Sequence, residues 1–382
     1  MLTSPRRSLS RTVLPLLAAG ALAVPAVALA TPAHAATGPT ASVAMGDSYI
    51  SGEAGRWKGN GDDTAGSRDG TDRAWNGSSY NPAAVYGATY ASGCDRSDGS
   101  EIRTAGIAQT QLNLACSGAV TANVLRAADG GQSYKGEAPQ ADQLAGVAAA
   151  NNVKLITLSI GGNDLGFSDV ITTCAKDYLI WYSYCHDDQQ AAIDAKMDSA
   201  MAGVARSIES IRTVMANAGY AQGSYRLVLQ SYPSPIPRSS EMRYPESGWS
   251  RASTGGCPFW DEDADWARDT VIPEISDHLA AVASAEGAEF LDLRDVFQGR
   301  EVCSTSARMA TTSSAPSAST SEWARFVDAG MSASQGTVQE SMHPNYYGQQ
   351  ALGRCLSLEY ASPGNHACRN TPGRDGSGMY LG

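Results

Sequence analysis

Four short patches of this 382-residue chain hold side chains that could do chemistry together. Gly46-Asp47-Ser48-Tyr49 offers a hydroxyl, and Ser341-Met342-His343-Pro344-Asn345 offers an imidazole. Gly118, in Cys116-Ser117-Gly118-Ala119, offers a backbone N–H that no side chain would shield. Asn163, in Gly161-Gly162-Asn163-Asp164, offers a side-chain amide. Acyl transfer asks for these parts: a nucleophile, a base within reach, a group that orients the base, and donors for the developing oxyanion. Taken singly, each patch has a plainer reading. A serine after glycine often caps a helix, Gly-Gly-Asn-Asp makes a good turn, and a histidine before proline often lies on the surface. The histidines narrow the choice of base, because beyond residue 35 there are only His186, His278, His343 and His366. His186 and His366 sit beside Cys185 and Cys368, His278 falls within a helical stretch, and none of the three is assigned a role.

The elements that must position these residues alternate along the chain. Ser42–Met45 is a short apolar run that stops at Gly46-Asp47-Ser48, and Lys154–Ile160 (KLITLSI) is a longer one that stops at Gly161-Gly162. Arg226–Gln230 and Glu289–Leu293 read as two further strands. Between them, Asp188–Gly219 carries Ile193, Met197, Met201, Val204, Ile208, Ile211 and Met215 at steps of three and four, which predicts an amphipathic helix. Asp263–Glu286 is a second helical stretch, kinked or begun at Pro273. Strands alternating with helices predict a parallel sheet with helices on its faces, whose sites form at the carboxyl ends of the strands. Residues 53–92 and 304–322 read as long polar loops, and the Tyr and Trp of the first are candidates for a rim that grips a sugar or polymer.

The four patches, in this order, resemble the blocks of the GDSL or SGNH hydrolase family. Gly-Asp-Ser stands for its first block, Gly118 for the second, Gly161-x-Asn163-Asp164 for the third and His343 for the last. Cys-Ser-Gly-Ala and His-Pro-Asn-x-x-Gly look most like its secreted actinobacterial lipase and esterase branch. The resemblance implies an α/β fold, a flavodoxin-like three-layer α/β/α sandwich around a central parallel sheet. It implies that Ser48 attacks an ester carbonyl and that His343 takes its proton. The N–H groups of Ser48 and Gly118 and the Asn163 amide would hold the oxyanion. The family usually places Asp three residues before the histidine, where this chain has Glu340. Either Glu340 orients the ring, or a backbone carbonyl of Glu340 or Ser341 does so. The G-x-S-x-G elbow of the α/β-hydrolases is absent.

Composition bounds the function. Arg6, Arg7 and Arg11 precede an apolar run from Val13 to Ala30, and Ala33-His34-Ala35 suits a signal peptidase, so residues 1–35 read as an export signal by a Sec or twin-arginine route. The expected mature part is one hydrolase domain, 36–369, with a flexible tail, 370–382. Its net charge, −11 for the whole chain and about −14 without the three leader arginines, argues against nucleic acid and against docking on anionic lipid. All eight cysteines (Cys94, Cys116, Cys174, Cys185, Cys257, Cys303, Cys355 and Cys368) lie beyond the leader, which predicts disulfides in an exported protein. Pairing each with its nearest neighbour is the simplest of many possibilities. No zinc-type spacing occurs, and no metal or cofactor is expected. The acid run Asp261-Glu262-Asp263-Ala264-Asp265 lacks the glycine and glutamate of a calcium loop. The expectation is a secreted, monomeric ester hydrolase acting on a small-molecule, lipid or polymer ester. A phospholipase, a carbohydrate O-deacetylase and a non-catalytic binding module on the same fold are its rivals.

Overall fold

The computed structural model describes residues 38–61, 70–181, 183–327 and 338–382. The leader segment and part of the 53–92 loop lie outside them. Seven strands form one sheet: β1 Thr40–Gly46, β2 Thr110–Asn113, β3 Asn152–Ser159, β4 Arg226–Gln230, β5 Glu289–Asp292, β6 His366–Arg369 and β7 Tyr380–Leu381. Their order is β2-β1-β3-β4-β5-β6-β7, parallel throughout except for the antiparallel β6–β7 pair. The chain steps outward from β1 to β2 on one side and to β3 on the other. The switch point of the sheet therefore lies at the carboxyl end of β1.

Helices cover both faces, because successive strand residues point to opposite sides and both sides are apolar. Val43, Met45, Ile156, Leu158 and Leu229 join one core with Ile193, Val204, Ile208 and Ile211, and with Ile275 and Leu279. Ala44, Leu155, Val228 and Leu291, from the opposite face, join another with Ala351, Leu352 and Leu356. The fold is the expected three-layer α/β/α sandwich. The helices used below are α1 Ser48–Ser51, α2 Thr121–Val124, α3 Gln140–Ala150, α4 Gly162–Leu165, α5 Phe167–Leu179, α6 His186–Asn217, α7 Ile272–Glu286 and α8 Tyr346–Ala361. The start of α6 is held by a distant residue: Asp263 accepts hydrogen bonds from the N–H groups of Cys185 and His186, both at 3.1 Å. The stretch before α7 is a helix from Asp261 to Trp266 followed by a π turn, Ala267–Val271. Pro273 cannot donate to the carbonyl four residues back, and the π turn widens the backbone just before it.

Four disulfides join Cys94 to Cys116, Cys174 to Cys185, Cys257 to Cys303 and Cys355 to Cys368, each cysteine with its neighbour in sequence. Two expectations are corrected. The tail is not a loose end: Met379 is buried, and β7 pairs with β6, itself bridged to α8 through Cys368. The 53–92 loop does not turn all its large aromatics outward, since Trp57 and Tyr86 are buried. Their indole N–H and phenol O–H find acceptors inside the protein, as buried polar tips require.

Candidate active site

The site is built where β1, β2 and β3 end. Gly46 closes β1 so tightly against β3 that a Cβ there would sit 1.8 Å from the Ser159 carbonyl oxygen, which leaves glycine as the residue that fits. Gln140, at the start of α3, clamps the same glycine, accepting from its N–H at 2.7 Å and donating to its carbonyl at 2.8 Å. Asp47 then caps α1 by accepting from the Tyr49 N–H at 3.1 Å, and its other oxygen accepts from the Tyr232 hydroxyl. Burial pushes the Asp47 carboxyl up to about 7. Ser48 opens α1. Neither the Ser48 N–H nor the Gly118 N–H has a hydrogen-bond acceptor among the described residues. Orphan donors at the first turn of a helix and in a glycine turn suit a developing negative charge.

His343 reaches Ser48 from the other end of the chain. Its Nε2 lies 2.7 Å from Ser48 Oγ, and its Nδ1 lies 2.9 Å from the Ser341 carbonyl oxygen. A carbonyl only accepts, so Nδ1 carries the hydrogen and Nε2 presents its lone pair to the serine hydroxyl. Burial lowers His343 to about 4, although the Ser341 and Glu340 carbonyls favour the charged ring. The imidazole is therefore neutral, as a base must be, over the neutral range. Met342, between the two, adopts a left-handed φ of 62°, a conformation costly for a side-chain-bearing residue (about 1–2 kcal/mol). The turn is secured by the Tyr49 hydroxyl donating to the Met342 carbonyl at 3.0 Å and the Met342 N–H donating to the Arg325 carbonyl at 2.8 Å.

Of the two orienters left open by the sequence, the ring faces the Ser341 carbonyl. Glu340 is turned away: its carboxylate accepts from Trp57 Nε1 at 2.8 Å and from the Tyr86 hydroxyl at 2.7 Å. The Glu340 triad is corrected accordingly. Trp57 and Tyr86 belong to the long polar loop, whose reach across the chain was not legible at three-residue spacing.

The third block ties the neighbouring turns together. Asn163 Nδ2 donates to the Ala119 carbonyl at 2.9 Å, leaving its second hydrogen uncommitted. Asp164 accepts from the Thr121 N–H at 3.0 Å and from the Thr121 hydroxyl at 2.7 Å, fixing α2 to α4. Gly118 has φ +83°, and a Cβ there would come within 2.6 Å of the Tyr134 hydroxyl. The preceding residues are anchored by the Cys94–Cys116 bridge and by the Ser117 N–H donating to the Cys94 carbonyl at 3.2 Å. The sequence reading passed over Glu53. Its side chain is 2% exposed, accepts from the Ser117 hydroxyl at 2.6 Å, and stands 3.6 Å from His343 Nε2. In sequence it looks like any polar residue of the loop, and only its burial singles it out.

An apolar cavity of about 80 Å³ opens beside the pair. Tyr49, Phe167, Ile171, Tyr232, Ile236 and Met342 line it, and two of these adjoin Ser48 and His343 in the chain. Among the described residues, no helix is long and apolar enough to cross a membrane. The only group there with metal-ligand spacing is Cys174, Cys185 and Asp263, whose sulfurs are joined in a disulfide.

A hydroxyl and a neutral imidazole meeting at the switch point of a parallel sandwich have the layout of an acyl-transfer site. The chain belongs to the GDSL-like lipase/acylhydrolase family, whose model matches residues 44–351. It is 30% identical over 196 residues to Lipase 1 of Streptomyces coelicolor. That match takes in 50% of this chain and 56% of the relative, so the chain spans about half the length of that curated protein. Two solved structures are similar in part. The extracellular lipase of Streptomyces rimosus is 24% identical with a TM-score of 0.45, covering 85% of this chain and 100% of that one. Phospholipase A1 of Streptomyces albidoflavus is 20% identical with a TM-score of 0.41, covering 84% and 98%.

Proposed function

We propose that the protein is an exported carboxylic ester hydrolase working through a Ser48–His343 dyad. The 2.7 Å contact between Ser48 Oγ and His343 Nε2 carries this reading. Ser48 adds to the ester carbonyl as its proton passes to Nε2. The oxyanion is held by the N–H groups of Ser48 and Gly118 and by the Asn163 amide. Collapse of that intermediate expels the alcohol, which takes the proton from Nε2, and leaves an acyl group on Ser48. Water, deprotonated by the same ring, then releases the acid and restores the serine. The Ser341 carbonyl holds the ring in the tautomer this sequence needs.

The apolar cavity favours a substrate whose acyl part is longer than acetyl. The lipase name of the curated relative agrees with this. The positive leader and the eight paired cysteines support export. Hydrolysis of p-nitrophenyl esters of graded chain length tests the assignment. We expect kcat/KM to rise from acetate to longer acyl chains, and Ser48→Ala to lower kcat by at least about a thousandfold. Turnover surviving in Ser48→Ala would overturn it.

A further inference from the structure

We propose that Glu53 is the charge partner of His343, a positioning residue that faces Nε2 and offsets the positive charge the ring gains with the Ser48 proton. The proposal rests on the acyl-transfer reading above. Its basis is geometric. Glu53 Oε2 lies 3.6 Å from His343 Nε2 and accepts from Ser117 Oγ at 2.6 Å. The Glu53 side chain is 2% exposed, so it meets the ring and not the solvent. On the other side of the ring, Nδ1 faces the neutral Ser341 carbonyl. A carbonyl fixes the tautomer but brings no net charge, whereas a triad carboxylate does both. Glu53 supplies from the Nε2 side the charge that is missing at Nδ1. The proton itself moves from Ser48 Oγ to Nε2 and on to the leaving alcohol, and Glu53 neither gives nor takes it.

The groups around Glu53 set when it is ionised. Burial raises it to about 8, the Asp95 and Glu340 carboxyls push the same way, and hydrogen bonds from Ser117 and Gln339 push back. The Tyr86 hydroxyl oxygen lies against its backbone carbonyl, and Tyr134 is a further phenol within electrostatic reach. Lys135 caps the Ser117 carbonyl at 2.7 Å. Glu53 and the imidazolium favour each other's charged forms. The rate therefore gains as Glu53 loses its proton, with pH rising through about 8.

The test measures kcat/KM on a soluble p-nitrophenyl ester in wild type and Glu53→Gln. We expect the ratio of the value at about pH 9 to that at about pH 6 to be at least about fivefold smaller in the variant. An unchanged or larger ratio overturns the proposal, because a residue that only packs lowers both values alike. If Glu53→Gln does not fold, nitrogen NMR of the His343 ring in the wild type replaces it. A second inflection near pH 8 is then expected, and a single one overturns the proposal. Fluorophosphonate capture of Ser48 separates the failures. An adduct with an unchanged ratio removes only the role of Glu53, and no adduct removes the acyl-transfer reading with it.

Discussion

A histidine can be oriented as a base by anything that accepts a hydrogen bond from Nδ1, and in this chain the acceptor comes from two residues upstream. The Ser341 carbonyl is held by a turn whose middle residue, Met342, is forced left-handed, and Tyr49, the neighbour of the nucleophile, secures that turn. One residue thus braces His343 from the helix that Ser48 opens. Glu340, at the spacing where a triad acid would stand, joins the buried tips of Trp57 and Tyr86. Its substitution should therefore act on folding and not on chemistry. Glu340→Gln keeps one good acceptor and loses the other along with the charge. It is expected to leave kcat within a few fold while lowering unfolding free energy by about 1–3 kcal/mol in urea titrations. A loss of several hundredfold in kcat at unchanged stability would restore the triad.

The elements that place these residues were legible to different degrees. β1, β3, β4 and β5 are apolar runs because both faces of a central parallel strand are covered, and their residues read as strands without help. β2 was not anticipated: Thr110–Asn113 has one apolar residue, Leu112, and lies at the sheet edge with β1 as its sole neighbour. Yet β2 leads into the turn that carries Gly118. The position of that turn depends on partners far off in sequence: the Cys94 bridge, the Asn163 amide and Asp164. Ser48 and Asn163 could be singled out because each follows an apolar strand and a glycine, and Gly118 through its unshielded N–H and its resemblance to a family block. The Ser341 carbonyl was among the orienters that the resemblance left open, whereas Glu53 could not be singled out, because its place beside His343 arises from packing across nearly the whole chain. Gly118→Ala tests the turn. The added Cβ must displace Tyr134 in a backbone conformation that alanine resists, and the turn's N–H moves with it. We expect kcat to fall about a hundredfold with KM little changed, and near-wild-type kcat would remove Gly118 from the oxyanion site.

At the scale of the molecule, a fold with net charge −11 buries several carboxyls at a cost that depends on pH. Burial raises Asp47 to about 7 and Glu53, Glu101 and Glu301 to about 8. In the unfolded chain these groups ionise at their ordinary values of 3.8 and 4.5. Over the interval between, the folded state binds more protons, so stability is full at acid pH and is lost as pH rises through the folded values. His343, lowered to about 4 from 6.5, works in the opposite sense over its own window, and the four carboxyls outnumber it. The urea midpoint should therefore be lower at about pH 8.5 than at about pH 5.5, and a higher midpoint at the alkaline end would contradict this balance.

In the proposed mechanism the Ser48 hydroxyl is activated by His343 across the end of one sheet. Mass spectrometry of the folded protein after exposure to a fluorophosphonate measures this most directly. A single adduct on the peptide containing Ser48 is expected. No adduct, or an adduct confined to another residue, would contradict it.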